Sequence, residues 1–480
     1  MARIAFLHKS PQEYLGVLSL CAYVEEKGHE VEIFILSLEG KHFWDKIKEF
    51  KPDFVGLSAV VGNHIDCYRL ARAAKDRLGV GTIFGGPYAS YYPDCIEREE
   101  IDVLIRGEGE EALMDFLNAY DRNEDYSHIP NLWMKRNGAT ISNPVRPFET
   151  DLNRYPIPDR IYYYKYATLR EAYYKFFVTG RGCPYNCYFC FNQEFRRLYN
   201  FKGGIVRRYS PEHVIQELIQ CKEKYPLKRV CFADDIFTIQ KQWLTQFLPL
   251  YKKEIGVPFS CHCRADMDNE DIVRLLRENG CDYVMVGLES GNPRVRNEIL
   301  GKKISNERFY RAAELLHKYG IRIRAYNIMG SPTETLKEAL ETMELNSRAK
   351  IDYPTCALFQ PYQGTKTDAI AKELGYLDKN FSLEDLVGSY DFGSYLNQPE
   401  IEEVKRAHKL FYIGARHHRW IPLIRKVVRY NLGPIYTLIY LLTSFIRYMH
   451  ESGDSFLHTV VIGLRYFVTK VLKREDRMLD

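Results

Sequence analysis

Residues 180–192 read GRGCPYNCYFCFN, and this run decides how the rest of the chain is understood. Cys183, Cys187 and Cys190 stand in a C-x3-C-x2-C spacing, so two short loops bring three sulfurs to one side. Three thiolates can hold three corners of a cubane iron–sulfur cluster, which normally takes four Cys ligands. A three-Cys site leaves one iron open, and an open metal position serves chemistry rather than structure. The next cysteine is Cys221, beyond a helical stretch, so no nearby thiol closes the set. The competing readings are a zinc site or a redox-sensing cluster. Zinc motifs usually come as two pairs, and no paired C-x2-C follows here.

Downstream, six apolar strands alternate with helical runs. The strands are KFFVTG (175–180), RVCFAD (229–234), FSCHCRA (259–265), DYVMVGLES (282–290), IRIRAYNIMG (321–330) and TCALFQ (355–360); the helical runs include 210–224, 240–253, 268–279 and 305–319. Six β/α units predict an incomplete parallel barrel, with its site at the carboxyl mouth of the strands. The thiol loop follows the first strand, Asp234 and Asp235 the second, and Glu289 and Ser290 end the fourth, so all converge on one rim. Cys261 and Cys263 flank His262 and share a strand face, as extra metal ligands or, the better reading, as small buried hydrophobes.

Upstream, ARIAFL, EVEIFI, DFVGLS, GTIFGG and DVLIRG alternate with amphipathic stretches such as 12–27 and 63–77 over residues 1–140. This rhythm predicts a Rossmann-like, doubly wound parallel sheet. Ligands on such sheets bind at the strands' carboxyl ends. Ser58, Gly85 and Gly86 fall there, where they either let a bulky ligand approach the backbone or merely close tight turns. Residues 141–168, with Pro144, Pro147, Pro156 and Pro158, read as an ordered linker before a barrel over 169–385 and a mostly helical region over 386–480.

At 480 residues the chain has room for two or three domains, and 46% hydrophobic with 27% charged residues marks a folded protein. Twelve cysteines in so long a chain are not a secreted disulfide framework, and the N-terminal apolar stretch is too short for a signal peptide. A cytoplasmic, reducing location is expected. Residues 401–480 carry 14 Lys and Arg against 7 Asp and Glu, which leaves 53 against 56 for residues 1–400. The body is nearly neutral and the tail is basic.

The thiol loop, with Phe189 just before its last cysteine and placed after the first strand of a six-unit barrel, resembles the radical S-adenosylmethionine (radical SAM) superfamily. The resemblance implies that Cys183, Cys187 and Cys190 hold a 4Fe–4S cluster and that S-adenosylmethionine chelates its open iron. One electron would then split the sulfonium to give a 5′-deoxyadenosyl radical. It implies further that Phe189 lies near the adenine, that FADD (232–235) places Asp234 at the SAM amino group, and that GLESG (287–291) places Glu289 and Ser290 near the ribose. NIMGSPTET (327–335) resembles the family's strand-five turn, with Gly330 supporting close approach to the adenosyl group and Thr333 and Glu334 starting a helix. FADD departs from the usual GGE-like form, so Asp234 and Asp235 could instead cap the next helix. Arg264 could meet the SAM carboxylate, although an ion pair is the simpler reading.

The domain order is similar to that of the B12-binding subgroup, over residues 1 to about 385. It implies cobalamin near Ser58, Gly85 and Gly86. The DxHxxG motif that supplies a cobalt-binding His is absent, since His8 has no Asp two residues before it. The family points first to methylation of an unactivated carbon, with a reducing partner such as flavodoxin or ferredoxin. A cyclase or rearrangement enzyme of tetrapyrrole or isoprenoid-lipid synthesis is the alternative, and a non-catalytic electron-transfer or sensor protein the reading from another class.

The tail adds a clue about place. Residues 404–429 hold eight Lys or Arg and no acid, 430–446 are uncharged, and FLHTVVIGLRYFV (456–468) is a second apolar stretch. Two readings stand level: helices lying at the inner face of a membrane, which would favour a hydrophobic or lipid substrate, or a helical cap on the barrel. Nucleic-acid binding is not expected from so neutral a body.

Overall fold

The computed structural model describes residues 1–200, 206–386 and 393–452. They form two compact units: residues 1–182 with 194–229, and residues 183–193 with 230–452. The apolar stretch 456–468 lies outside the described residues.

In the first unit the expected strands form as β1 (Arg3–His8), β2 (Glu30–Ile35), β3 (Phe54–Ser58), β4 (Gly81–Gly85) and β5 (Val103–Ile105). They pair in parallel in the order β2-β1-β3-β4-β5, and β1 is buried from Ile4 to His8 because helices cover both faces. Those helices include α1 (Leu15–Glu26), α2 (His64–Leu78) and α3 (Glu110–Asp121). The sheet also carries an antiparallel hairpin on its edge, β6 (Leu132–Arg136) and β7 (Ala139–Ser142), which the parallel reading did not foresee. Its signal is Asn137-Gly138, both at positive φ, the turn chemistry that joins adjacent antiparallel strands.

Residues 152–170 contribute short helical turns whose Tyr162, Tyr163 and Tyr164 are buried. The unit then adds β8 (Tyr174–Phe177), which is the first strand expected of the barrel, and a two-stranded ladder of β9 (Gly180–Arg181) with β10 (Arg207–Arg208). Helix α4 (Pro211–Lys224) follows, capped by the Ser210 hydroxyl, which accepts from the His213 amide at 3.2 Å. Arg160 holds this part of the unit together. Its guanidinium, stacked on Phe177, reaches Glu13 after β1 at 3.2 Å and Glu217 on α4 at 2.6 Å.

The second unit is built on five parallel strands in the order β15-β14-β13-β12-β11: β11 (Arg229–Phe232), β12 (Phe259–Arg264), β13 (Cys281–Glu289), β14 (Arg322–Met329) and β15 (Tyr353–Leu358). Between them run α5 (Lys241–Glu254), α6 (Glu270–Glu278), α7 (Asn306–Lys318) and α8 (Leu336–Arg348). Each of the last three starts on a side-chain cap, from Asn269, Ser305 and Thr335 respectively. Beyond α9 (Lys366–Glu373) the tail forms α10 (Ile401–Lys409), α11 (Phe411–Arg416), α12 (Ile421–Val427) and α13 (Gly433–Ser452). Val404, Ala407, Phe411, Ala415 and Ile424 of these helices close over Leu336, Leu340 and Met343 of α8 in one apolar cluster. The capping reading of the tail therefore holds for one of its faces. No helix of the described residues is long and apolar enough to cross a membrane.

Candidate active site

The thiol loop of the second unit is fixed by the residue in its middle. The Tyr188 amide donates to the Leu300 carbonyl at 2.9 Å, and the Tyr188 carbonyl accepts from the Thr367 amide at 3.3 Å. The Tyr188 ring lies on Gly301, where a Cβ would come within 2.6 Å of it, and the Lys366 ammonium sits 3.7 Å from the ring centre. With both ends of Tyr188 held, Cys187 and Cys190 are placed by a turn in which the Cys190 amide donates to the Cys187 carbonyl at 3.2 Å. Phe189 is partly exposed, and Phe191 packs on Tyr362 with ring centres 5.1 Å apart.

The three cysteines are free and half-buried. Burial pushes the Cys183 thiol up to about 11 and Cys190 to about 12, and Cys187 shifts the same way. They are thiols until a metal displaces their protons. Among the described residues no three His, Cys, Asp or Glu side chains converge as ligands of a single ion. A cubane puts each thiolate on a different iron, so its ligands stand wider apart than those of one ion. The all-thiol donor set suits an iron–sulfur cluster.

Around the loop, the other sequence candidates take different parts. The Asp234 side chain is buried, and its carbonyl accepts from the His262 ring nitrogen at 3.1 Å. The Asp235 carboxylate accepts from the Asn192 amide group at 3.0 Å. Neither caps a helix: the turn Phe237–Ile239 and α5 both begin without a side-chain cap. Glu289, buried at the end of β13 with φ of +68°, is paired by Lys302 at 2.7 Å. A non-glycine residue in that conformation costs on the order of 1–3 kcal/mol and is kept where the surroundings impose it.

Ser290 turns away from the rim, its hydroxyl bonded with Thr342 of α8 at 3.4 Å and accepting from the Asn292 amide at 3.2 Å. Gly330 has φ of +78°, and a Cβ there would stand 3.2 Å from Ile401 of α10, so the open side serves the tail. Glu334 does not start a helix. Its carboxylate accepts from the Gly330 and Ser331 amides at 2.5 and 3.1 Å, and α8 begins instead on a capping box of Thr335 and Glu338. Arg264 forms the simpler ion pair, 2.8 Å from Asp266, with Tyr185 beneath its guanidinium. Cys261 and Cys263 are buried with sulfurs 3.7 Å apart, as small hydrophobes.

The first unit holds a separate cavity of about 550 Å³ at the carboxyl ends of β1, β3, β4 and β5. Ser58, Gly85 and Gly86 all line it. Gly86 has φ of +89°, and a Cβ would fall 2.8 Å from the Ala59 carbonyl, so the turn admits only glycine. The lining sequence reading missed includes Tyr14, Glu108, Arg181 and His213. Arg181 pairs with Glu110 at 2.6 Å and Glu108 at 3.3 Å, and Arg207 with Glu108 at 2.5 Å. His8 is not available to a cobalt ion: its ring lies 2.9 Å from the Tyr163 hydroxyl and stacks on Tyr14, and burial lowers its pKa to about 3. A hollow floored by glycine backbone at strand ends fits a large planar group held by shape, without a protein imidazole from the first loop.

Comparison with known proteins assigns a family to each part of the chain. The model of the radical SAM superfamily matches residues 177–345, and that of the B12 binding domain residues 9–117. An uncharacterized methyltransferase of Pyrococcus horikoshii is 31% identical over 367 residues, 73% of this chain and 77% of the relative. The anaerobic magnesium-protoporphyrin IX monomethyl ester cyclase of Rubrivivax gelatinosus is 25% identical over 404 residues, 80% of this chain and 69% of the relative. Among solved structures, the radical S-adenosylmethionine methyltransferase TsrM from Kitasatospora setae, with cobalamin and a 4Fe–4S cluster bound, superposes with a TM-score of 0.64 at 17% identity, covering 89% of this chain and 99% of that one. The chain belongs to the radical SAM superfamily, in the subgroup that carries a B12-binding domain ahead of the barrel. Its cofactors are those of that subgroup: the 4Fe–4S cluster, S-adenosylmethionine and cobalamin.

Proposed function

We propose that this enzyme methylates an unactivated carbon of a hydrophobic, lipid-like small molecule. The observation that carries the reading is the presence in one chain of a three-thiol loop and a glycine-floored hollow at the strand ends of a B12-type sheet. When bound, the cluster with S-adenosylmethionine would supply a carbon-centred radical and cobalamin the methyl group. Cys183, Cys187 and Cys190 would hold the cluster, with Tyr188 fixing the loop. Phe189, Asp234 and Glu289 would bind S-adenosylmethionine, and Ser290 and Gly330 would support that pocket through the packing of α8 and α10. Ser58, Gly85 and Gly86 would carry the corrin ring. The division into residues 1–140, 141–168, 169–385 and 386–480 is part of the same proposal, as are a flavodoxin or ferredoxin as reductant and residence in the cytoplasm at the inner face of the membrane.

The test is product analysis after anaerobic reconstitution with S-adenosylmethionine, hydroxocobalamin, reductant and a lipid extract, so that every transferred methyl group comes from a second S-adenosylmethionine. Methylation requires S-adenosylhomocysteine alongside 5′-deoxyadenosine. 5′-Deoxyadenosine alone would replace methyl transfer by the cyclase reading that the Rubrivivax relative favours, and neither product would leave a non-catalytic iron–sulfur protein. Changing the three loop cysteines to Ala should abolish the visible absorbance of the cluster. Retained absorbance would overturn the ligand assignment.

A further inference from the structure

The helical tail has two faces, and among the described residues one of them is packed into the fold. Val404, Ala407 and Ile424 are buried against α8, and Tyr436 tucks beneath α12, its hydroxyl donating to the Val427 carbonyl at 2.6 Å. The opposite face of α13 is an aliphatic stripe. Ile435, Leu438, Leu441, Leu442 and Ile446 fall within one arc of the helix, and the three leucines keep 58, 54 and 55% of their surface exposed. An apolar stripe of this kind on one helix face normally marks a surface that meets something else.

The charges beside it say what. Arg425, Lys426 and Arg429 on and just after α12 are all exposed, and no Asp or Glu occurs between residues 404 and 450. Exposed Trp420, Tyr430 and Tyr448 stand at the borders of the apolar run, at 44, 67 and 39%. Cations beside a continuous aliphatic stripe, with amphipathic aromatics at its edges, complement anionic headgroups over acyl chains. The buried half of α13, held by Tyr436 and by a bond from the Lys409 ammonium to Thr437 at 2.9 Å, keeps the helix on the protein. It would therefore lie along a bilayer rather than cross it.

We propose that the outer face of α13, with the cations of α12, is the surface by which this enzyme docks on an anionic phospholipid membrane. This rests on the peripheral location proposed above and names the face responsible for it. The side chains concerned are exposed, so their substitution leaves the fold intact.

The test is flotation of the full-length, cluster-reconstituted protein with vesicles of phosphatidylglycerol and phosphatidylethanolamine, and with phosphatidylcholine alone. Wild type should float with the anionic vesicles. Leu438→Glu/Leu442→Glu should reduce binding about tenfold or more, since charge replaces buried aliphatic groups. Arg425→Glu/Lys426→Glu should remove the preference for anionic over neutral vesicles, and added salt should weaken wild-type binding. Cluster absorbance and thermal midpoint, unchanged in both variants, keep the reading free of misfolding. Wild type failing to float would overturn the peripheral location itself. Wild type and the leucine variant floating equally would overturn the assignment of this face alone. A wild-type dimer that the leucine variant dissociates, with no flotation, would overturn the membrane and make a second copy the occupant.

Discussion

A single carboxyl shows how far the local sequence can mislead. In NIMGSPTET the acid at 334 looks like a helix start, yet Glu334 folds back onto the Gly330 and Ser331 amides in full burial. Burial raises its pKa to about 8, against the pull of those two amides. A carboxyl with a raised folded value binds its proton more tightly folded than unfolded. Its contribution to stability is therefore complete below the ordinary value of 4.5 and is lost as pH rises through about 8. Thermal midpoints of the wild type should fall between about pH 5 and about pH 8, by at most about 1.4 kcal/mol of stability per pH unit. Glu334→Gln keeps an oxygen for the two amides and should flatten that slope; an equal slope in the variant would assign it to another group. The thiols are the contrasting case. Their chemistry was legible at once, because eight consecutive residues, 183–190, bring the sulfurs together. Tyr188, which positions them, was not, because its partners at 300, 301, 366 and 367 are more than a hundred residues away.

Among the elements, the parallel strands of both units were legible from their apolar runs, and the edge hairpin was passed over although Asn137-Gly138 announces it. The turn after β4 admits a direct check. Gly86→Ala would force a Cβ to 2.8 Å from a backbone carbonyl at positive φ, so it should cost on the order of 1 kcal/mol or more and lower the corrinoid retained after desalting. Retention equal to wild type would remove this turn from the corrin site. Arg160 binds the loop after β1 to α4, with both carboxylate partners largely buried. Arg160→Leu leaves Glu13 and Glu217 without their cation, and should destabilise the first unit by about 3–5 kcal/mol in denaturant titration. A loss under about 1 kcal/mol would mean that water reaches the pair and screens it.

At the scale of the whole chain the tail is the deciding element. Composition left it between a cap and a membrane helix, and the fold packs one face of these helices on α8 while leaving aliphatic side chains of α13 exposed, the face proposed above to meet a membrane. Val404 is fully buried against α8 while Leu438 is exposed. Val404→Asp should therefore lower the thermal midpoint sharply, burying an unpaired charge at a cost of several kcal/mol. Leu438→Glu should leave the midpoint nearly unchanged. Comparable losses from the two would show that both faces are packed. The sequence by itself determined what short range can encode: the spacing of Cys183, Cys187 and Cys190, the apolar rhythm of two sheets, and the basic, aliphatic character of the tail. Only the tertiary structure decided that Ser290 faces α8, that Gly330 makes room for α10, that His8 is committed to Tyr163, and which side of α13 is left to solvent. The reason is physical. Spacing and periodicity act between neighbours along the chain, whereas burial and pairing depend on partners that only the folded chain brings into reach.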